Sequence, residues 1–263
     1  MAGTYFRAMV AAAMVLAASP PAARSDQLVA ATYNIHHGVP MAGGAIDLPR
    51  IAEVLRAMNA DVIALQEVDV KTGRAGGVDQ AAELARLTGM HHAFGPAMPF
   101  SGGEYGNAVL CKTAILSVTN HPLPGVKGAE PRAALEITFR PRAGDPEVRF
   151  IATHLDNGSA EGRLLQIRHL NAVATHAPPG HLILAGDLNA QPGSAEINAA
   201  LEVWDDAALA RDPTWPADRP RERIDHILQR KPAALVPRDS RVVAEPGASD
   251  HRPLLTILDL PGQ

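Results

Sequence analysis

Apolar stretches that end in polar side chains recur along this chain, and they constrain its fold more than any other feature. The stretch His181–Ala185 predicts a buried strand that runs directly into Asp187 and Asn189. A similar stretch, Arg241–Ala244, comes shortly before Ser249–His251. Burying an ionisable group among apolar neighbours is costly unless a partner or a metal ion compensates for it. The strand ends are therefore expected to converge on one site. In chain order the runs are Thr32–Gly38, Leu65–Val68, Glu104–Leu110, Ala152–Leu155, Gly186–Asn189, Arg223–Ile227 and Ser249–Pro253.

Helical periodicity separates these runs. Apolar residues at helical spacing predict helices over Asp47–Met58, Asp79–Leu87 and Gly162–Ala174, and a short one from Ser194 to Leu201. Between residues 105 and 155, short β runs punctuated by Pro and Gly predict antiparallel meanders. This alternation in two similar halves predicts an α+β fold. We expect a four-layer α/β/β/α sandwich with two packed mixed β-sheets, formed by one domain over residues 26–263.

The first 25 residues are typical of a secretory signal peptide. Arg7 precedes a short apolar run, Ala8–Ala18, and Ala23–Ser25 offers small residues for cleavage before Asp26. An uncut membrane-anchored N-terminus is the alternative. We expect an exported protein, periplasmic or secreted, that is monomeric and has no stable membrane anchor.

The charge and the cysteine content exclude some classes of protein. A formal net charge of −4 and a pI near 6.2 argue against a broad cationic surface for nucleic acid, although not against a small basic pocket. Cys111 is the only cysteine, so an intramolecular disulfide is impossible. Its apolar neighbours predict a packed structural thiol rather than a nucleophile.

Taken together and in order, the polar runs resemble the endonuclease/exonuclease/phosphatase superfamily, which has the deoxyribonuclease-I-like fold, and an exported bacterial-type member in particular. Each run alone is a common pattern, whereas the ordered set is specific and covers nearly all of the chain after residue 25. The resemblance implies hydrolysis of a phosphoester, most simply a phosphodiester, with Mg²⁺ as the cofactor and Mn²⁺ as a substitute.

The resemblance also implies roles for the acids and amides. Glu67, Asp250 and Asn34 resemble the metal ligands of the family, and Asn34 also lies beside the phosphate. Asp187 and Asn189 resemble the pair that positions the attacking water. An Asx turn at the end of a strand is the simpler interpretation of this pair, and both interpretations can hold together.

Two histidines, His154 and His251, resemble the acid–base pair of the family. By this resemblance Asp225 holds His251 and Glu104 holds His154, so that each imidazole has a fixed tautomer and a raised pKa. The residues do not decide whether Asp187 or His251 is the general base. For substrate binding we expect Asn107, which is either structural or at the edge of the pocket, and Arg132, for which a surface ion pair is the alternative.

Two adjacent histidine pairs, His36–His37 and His91–His92, raise the question of a zinc site. Successive strand residues point to opposite faces, which argues against both members of a pair binding one metal ion. We therefore expect packed or exposed histidines at positions 91, 92 and 226. A contact between His37 and the substrate is left open.

The substrate is also left open. A nuclease acting on DNA or RNA is one alternative, and small or lipid-like phosphodiesters are another. A catalytically silent binding protein on the same fold is an alternative from a different class.

Overall fold

The computed structural model describes residues 26 to 261, so the predicted signal peptide lies outside the described residues. Two six-stranded mixed sheets form the centre of the fold. The first sheet has the order β11-β12-β1-β2-β4-β3, and the second has the order β5-β6-β7-β8-β10-β9. The strands are β1 Gln27–Asn34, β2 Val62–Val70, β3 His91–Phe100, β4 Gly103–Cys111, β5 Ile115–Pro122, β6 Ala133–Phe139, β7 Val148–His154, β8 His181–Asp187, β9 Trp204–Asp206, β10 Asp225–Arg230, β11 Val236–Val242 and β12 Leu254–Asp259.

Within the described part of the chain, four α-helices cover the outer faces of the sheets, and each begins after a residue that caps it. The side chains of Asp47, Asp79, Ser159 and Ser194 accept hydrogen bonds from backbone N–H groups three residues further on. The helices are α1 Leu48–Met58, α2 Gln80–Thr88, α3 Ala160–His176 and α4 Ala195–Ala200. Among residues 26 to 261, no helix is both long enough and apolar enough to cross a membrane.

Three apolar clusters hold the four layers together. One lies between the sheets and includes Phe139 and Phe150. A second packs α1 and α2 on the first sheet, and a third packs α3 and α4 on the second sheet around Trp204. This arrangement confirms the predicted α/β/β/α sandwich, because each sheet buries one face against its partner and the other against helices.

Each sheet contains one parallel pair, and these pairs position the site. β1 is parallel to β2, and β7 is parallel to β8. The carboxyl ends of parallel strands meet at the same edge of a sheet, where functional groups commonly gather. β1 also contacts β8 across the sandwich. The polar ends of all four strands are thereby brought to one place.

Strand β3 is one of those that were not predicted. It contains Pro96 and Pro99, which usually argue against a strand. β3 tolerates them because it is an edge strand of the first sheet, where its pairing with β4 shifts register between Pro96 and Met98.

Candidate active site

Asn34, at the end of β1, links the two sheets through its side-chain amide. Its Nδ2 donates hydrogen bonds to Oε1 of Glu67 and to Oδ2 of Asp187, both at 3.1 Å. Its Oδ1 accepts a hydrogen bond from the backbone N–H of His36 at 3.1 Å. Carboxylates only accept and an N–H only donates, so this orientation of the amide is required. One buried amide therefore joins a carboxylate of the first sheet to a carboxylate of the second.

Oδ2 of Asp187 is the meeting point of the site. Besides the amide of Asn34, Nε2 of His154 lies 3.5 Å away and Nε2 of His251 lies 3.6 Å away. The other carboxylate oxygen, Oδ1, accepts a hydrogen bond from the backbone N–H of Asn189 at 2.9 Å. Burial raises the pKa of Asp187 to about 7, although the positive charge of His251 opposes this rise. A carboxyl group with such a pKa can exchange a proton near neutral pH.

His251 is held by a buried carboxylate. Its Nδ1 lies 2.9 Å from Oδ2 of Asp225. Because a carboxylate oxygen accepts, Nδ1 carries the proton and donates it to this hydrogen bond. Burial alone lowers the pKa of His251, but Asp225 and then Asp187 outweigh it and raise the pKa to about 10. The imidazole is consequently protonated at neutral pH and presents Nε2–H toward Asp187 and the cavity.

His154 is held differently, by an arginine. Nη1 of Arg132 lies 3.1 Å from Nδ1 of His154. Because a guanidinium can only donate, Nδ1 accepts and the ring proton sits on Nε2. Burial and the charge of Arg132 lower the pKa of His154 to about 3. The site therefore combines one neutral and one protonated imidazole on the same carboxylate oxygen.

Glu67 stands at an irregularity of β2. Its φ is +58°, and the pairing with β4 shifts register between Leu65 and Val68. Burial would raise the pKa of Glu67, but the nearby imidazoles of His37 and His154 and the hydrogen bond from Asn34 hold it far below its usual range. The carboxylate is therefore ionised at any physiological pH.

A cavity of about 480 Å³ opens above these groups, lined by Glu67, His154, Asp187, Asp250 and His251 among others. A smaller cavity of about 200 Å³ continues from it on the other side of Glu67 and His154, and its walls include Arg74, Tyr105 and Arg132. A cleft of about 610 Å³ beside α3 is larger but lacks any such gathering of acids and imidazoles. The first two cavities are therefore the candidate substrate site.

Comparison with known proteins agrees with this geometry. Residues 31–251 match the sequence model of the Endonuclease/Exonuclease/phosphatase family. The chain belongs to this family. In Escherichia coli strain K12, the protein YbhP, described as uncharacterized, is 27% identical over 242 residues, which cover 87% of this chain and 95% of YbhP.

Several solved structures have the same fold. An endonuclease/exonuclease/phosphatase from Beutenbergia cavernae has a TM-score of 0.72 and 29% identity, covering 90% of this chain and 72% of that one. A mannosyl-6-phosphatase from Bacteroides thetaiotaomicron has a TM-score of 0.73 at 18% identity, covering 88% of this chain and 99% of its own. The catalytic domain of human Nocturnin has a TM-score of 0.66 at 19% identity, and the match covers 90% of this chain and 96% of the Nocturnin chain. The two last likenesses show the fold alone.

Most residues singled out by the family resemblance lie together in the structure. Those that line or directly adjoin the two cavities are Asn34, Glu67, Asn107, Arg132, His154, Asp187, Asn189, Asp225, Asp250 and His251. The side chain of Asp187, accepting the backbone N–H of Asn189, also forms the expected Asx turn after β8. Asn107 is buried and donates from Nδ2 to the carbonyl of Ala133 at 2.9 Å, which suits the structural role foreseen for it. Arg132 is buried as well, although it also forms an ion pair with Glu130.

Glu104 is the exception, and the expected contact between Glu104 and His154 is wrong. Glu104 is exposed at the start of β4, opposite Pro99, and makes no hydrogen bond or ion pair with His154. Strand alternation turns the next residue, Tyr105, inward instead. Tyr105 is buried and lines the smaller cavity. An arginine rather than a carboxylate therefore sets the tautomer of His154 and lowers its pKa.

The role of Asn34 also differs from the expected one. A metal ligand would turn the amide oxygen toward the cavity, whereas here that oxygen accepts the N–H of His36 and the amide nitrogen faces the carboxylates. In this structure Asn34 holds Glu67 and Asp187 in place.

His36 and His37 were missed as partners of Glu67. They lie in a 3-10 turn, His36–Gly38, with φ values of +46° and +42°, so the alternation of an extended strand does not apply to them. Their ring centroids are 4.5 Å apart. The histidines at positions 91 and 92 are exposed and His226 is buried, as expected.

Proposed function

We propose that this protein is an exported, Mg²⁺-dependent hydrolase of phosphodiesters, with Mn²⁺ as an alternative ion and residues 26–263 as its single domain. The observation that carries the proposal is the convergence of two imidazoles and one amide on Oδ2 of Asp187, at 3.1 to 3.6 Å. A carboxyl group near its pKa, between a protonated and a neutral imidazole, is suited to proton transfer at a phosphorus centre.

The donors around the cavity fit a divalent cation. Glu67 and Asp250 both face the larger cavity, and among the described residues neither forms an ion pair with a lysine or arginine. Their negative charge is therefore left for another cation, and Mg²⁺ prefers oxygen ligands of this kind. Such an ion would polarise a phosphoryl oxygen and stabilise the departing oxyanion.

The protein side chains position the attacking water and accept its proton. Asp187 and Asn189 hold a water in line with the scissile bond, and Asp187 accepts its proton as the oxygen–phosphorus bond forms. His251, protonated through its contact with Asp225, offers Nε2–H to an oxygen of the phosphoryl group, and His154 offers its own Nε2–H from the other side. The ester oxygen leaves as its bond to phosphorus breaks. The pKa pattern favours Asp187 as the general base, because His251 already carries its proton.

The shape of the site favours a diester. The two cavities, of about 480 and 200 Å³, meet at Glu67 and His154. A phosphorus atom at this junction has space for an ester group on each side. The second candidate substrate is nucleic acid, because Arg74 and Arg132 line the smaller cavity and offer positive charge to a neighbouring phosphate.

The decisive experiment is a panel of hydrolysis assays with Mg²⁺. The substrates are bis-p-nitrophenyl phosphate, plasmid DNA, RNA, sphingomyelin and phosphomonoesters, including a mannose phosphate because one structural neighbour is a mannosyl-6-phosphatase. Asp187→Ala is the blank, and Asp212→Ala, at an exposed aspartate, is the matched control. We expect diester hydrolysis that is lost in Asp187→Ala and retained in Asp212→Ala.

The other outcomes of the panel separate the alternatives. Nicking of DNA at low salt that disappears in Asp187→Ala favours a nuclease over a hydrolase of small diesters. Tight binding of a diester without turnover favours the catalytically silent binding protein and refutes the hydrolase. Export is tested separately by mass spectrometry of the protein from the periplasm and medium. A mature N-terminus at Asp26 supports export, and a full-length chain in the membrane fraction contradicts it.

A further inference from the structure

A second group of possible metal ligands lies beside the carboxylate of Glu67. One ligand atom from each of His36, His37 and Glu67 lies within 4.8 Å of the others. The two oxygens of Glu67 face different neighbours. Oε1 accepts the amide of Asn34, which leads to Asp187, whereas Oε2 lies 3.5 Å from Nδ1 of His37. The imidazole side of Glu67 is thus distinct from the side that faces the water-activating groups.

His36 is oriented as metal-binding histidines commonly are. Its Nδ1 lies 3.2 Å from the carbonyl oxygen of Val39. A carbonyl only accepts, so Nδ1 carries the proton and Nε2 keeps its lone pair. Donation from the remote ring nitrogen to a backbone carbonyl is the usual way in which a protein fixes the tautomer and ring plane of a metal ligand.

His37 has a nitrogen that no described group satisfies. Nδ1 is buried and has no hydrogen-bond partner, and its 3.5 Å separation from Glu67 exceeds the usual N–H···O range. Two ligands that share a tetrahedral ion at about 2.0–2.1 Å lie roughly 3.4 Å apart, which is close to the separation found here. The spacing suits a cation between the nitrogen and the carboxylate better than it suits a direct hydrogen bond.

All three residues are held in a strained backbone conformation. The φ values of His36, His37 and Glu67 are +46°, +42° and +58°. These values lie in the left-handed region, which residues other than glycine rarely adopt. Neighbouring side chains fix the turn, since Asn34 accepts the N–H of His36 and Gln80 donates to the carbonyl of His37 at 2.7 Å. Strain of this kind persists where the surroundings impose it, and it is concentrated at functional sites.

We propose that Nε2 of His36, Nδ1 of His37 and Oε2 of Glu67 form a binding site for a transition-metal dication of the zinc class. Two imidazoles and one carboxylate suit Zn²⁺ or Co²⁺, whereas Mg²⁺ favours oxygen ligands alone. Three protein ligands leave a position open for water or for an oxygen of a bound molecule. The proposal concerns binding only; it shares Glu67 with the Mg²⁺ site proposed above but does not require that the protein hydrolyse a phosphoester.

The test is metal binding without substrate. Protein freed of metal by a chelator is titrated with Zn²⁺ in a calorimeter and with Co²⁺ while its visible absorption is recorded. We expect Co²⁺ to bind at a single site and to give a visible spectrum typical of nitrogen ligation. His36→Ala and His37→Ala should each weaken Zn²⁺ and Co²⁺ binding by at least about 10-fold. Mg²⁺ binding, which depends on oxygen ligands, should be unchanged in His36→Ala.

The matched control is the other adjacent histidine pair of the chain. His91→Ala/His92→Ala removes two exposed imidazoles at the start of β3 and should leave the Co²⁺ spectrum unchanged. Thermal unfolding of the metal-free variants shows whether each still folds, and His36→Gln repeats the test if His36→Ala does not fold. Co²⁺ binding that is indifferent to both histidines overturns the proposal. So does equal weakening of Mg²⁺ and Zn²⁺ by His37→Ala with no effect of His36→Ala, because His37 would then only orient Glu67.

Failure of this proposal and failure of the hydrolase proposal give different results. If Asp187→Ala loses hydrolysis but retains Co²⁺ binding, both proposals stand. If the wild type hydrolyses nothing but binds Co²⁺ through His36 and His37, only the hydrolase proposal fails.

Discussion

The charge of Asp225 is what keeps His251 protonated, and Asp225→Asn tests this directly. The substitution keeps the size of the side chain and one oxygen acceptor but removes the charge. In the wild type, Nδ1 of His251 lies 2.9 Å from Oδ2 of Asp225, and both side chains are almost fully buried. Burial lowers the pKa of His251. Without Asp225, the main group that still raises this pKa is the carboxylate of Asp187. The pKa of His251 should therefore fall well below its value of about 10.

The effect on stability follows from the buried pair. Removing one partner of a buried ion pair typically costs about 3–5 kcal/mol of unfolding free energy. Because the amide oxygen of asparagine still accepts the bond from Nδ1–H, we expect the lower end, about 3 kcal/mol. A histidine whose pKa is raised by folding contributes its full stabilisation below its unfolded pKa, about 6.5, and loses it as the pH rises through the folded value, about 10. The difference between wild type and Asp225→Asn should therefore be largest at acidic pH and shrink toward pH 10.

Three measurements check this reasoning. Urea unfolding at about pH 6 and about pH 10 gives the two stability differences, with Asp212→Asn as an exposed control. Nitrogen NMR of the imidazole gives the pKa of His251 in each protein. Turnover should fall by about 10²–10⁴-fold, because a protonated imidazole is lost from the reaction centre. A stability difference that grows with pH, or a pKa of His251 that does not move, would refute the argument.

Three further predictions concern the other groups of the site. Arg132→Met removes the charge that, with burial, holds the pKa of His154 near 3, so that pKa should rise in an NMR titration; an unchanged value would show that burial alone sets it. Glu104→Ala should change the unfolding free energy by no more than about 0.5 kcal/mol and leave turnover intact, since Glu104 is exposed. A large loss of activity would instead support the rejected role of Glu104 as the partner of His154. Removal of divalent cations with EDTA should abolish hydrolysis, and Mg²⁺ or Mn²⁺ should restore it; turnover that resists the chelator contradicts the cation requirement.

Local signals in the sequence predicted much of the fold. Both β7, Val148–His154, and β8, His181–Asp187, lie where the apolar runs placed them. The helix starts at Asp47, Asp79 and Ser194 were also predicted, because a capping side chain bonds a backbone N–H only three residues away. β3 was missed because its two prolines are acceptable only on an edge, and position within a sheet is not a local property.

The error at Glu104 has a related cause. Whether Glu104 or Tyr105 faces the cavity depends on the register of β4, and a shift of one residue exchanges the two faces. That register is determined by pairing with β2 and β3, both of which carry irregularities nearby. A cavity-lining side chain does lie in this run, but it is the buried Tyr105 and not the exposed carboxylate of Glu104.

The irregular backbone of the site explains the rest. The described residues include seven non-glycine positions with positive φ, and four of them, His36, His37, Glu67 and Asn189, belong to the candidate site or directly adjoin it. Periodicity assumes regular strands and helices, and a left-handed residue redirects its side chain away from the face that the period assigns. The contact of His36 and His37 with Glu67 was therefore missed for the same physical reason that brings the three residues together. A regular strand end would separate two adjacent imidazoles onto opposite faces, whereas the strained turn His36–Gly38 brings both close to the carboxylate of Glu67.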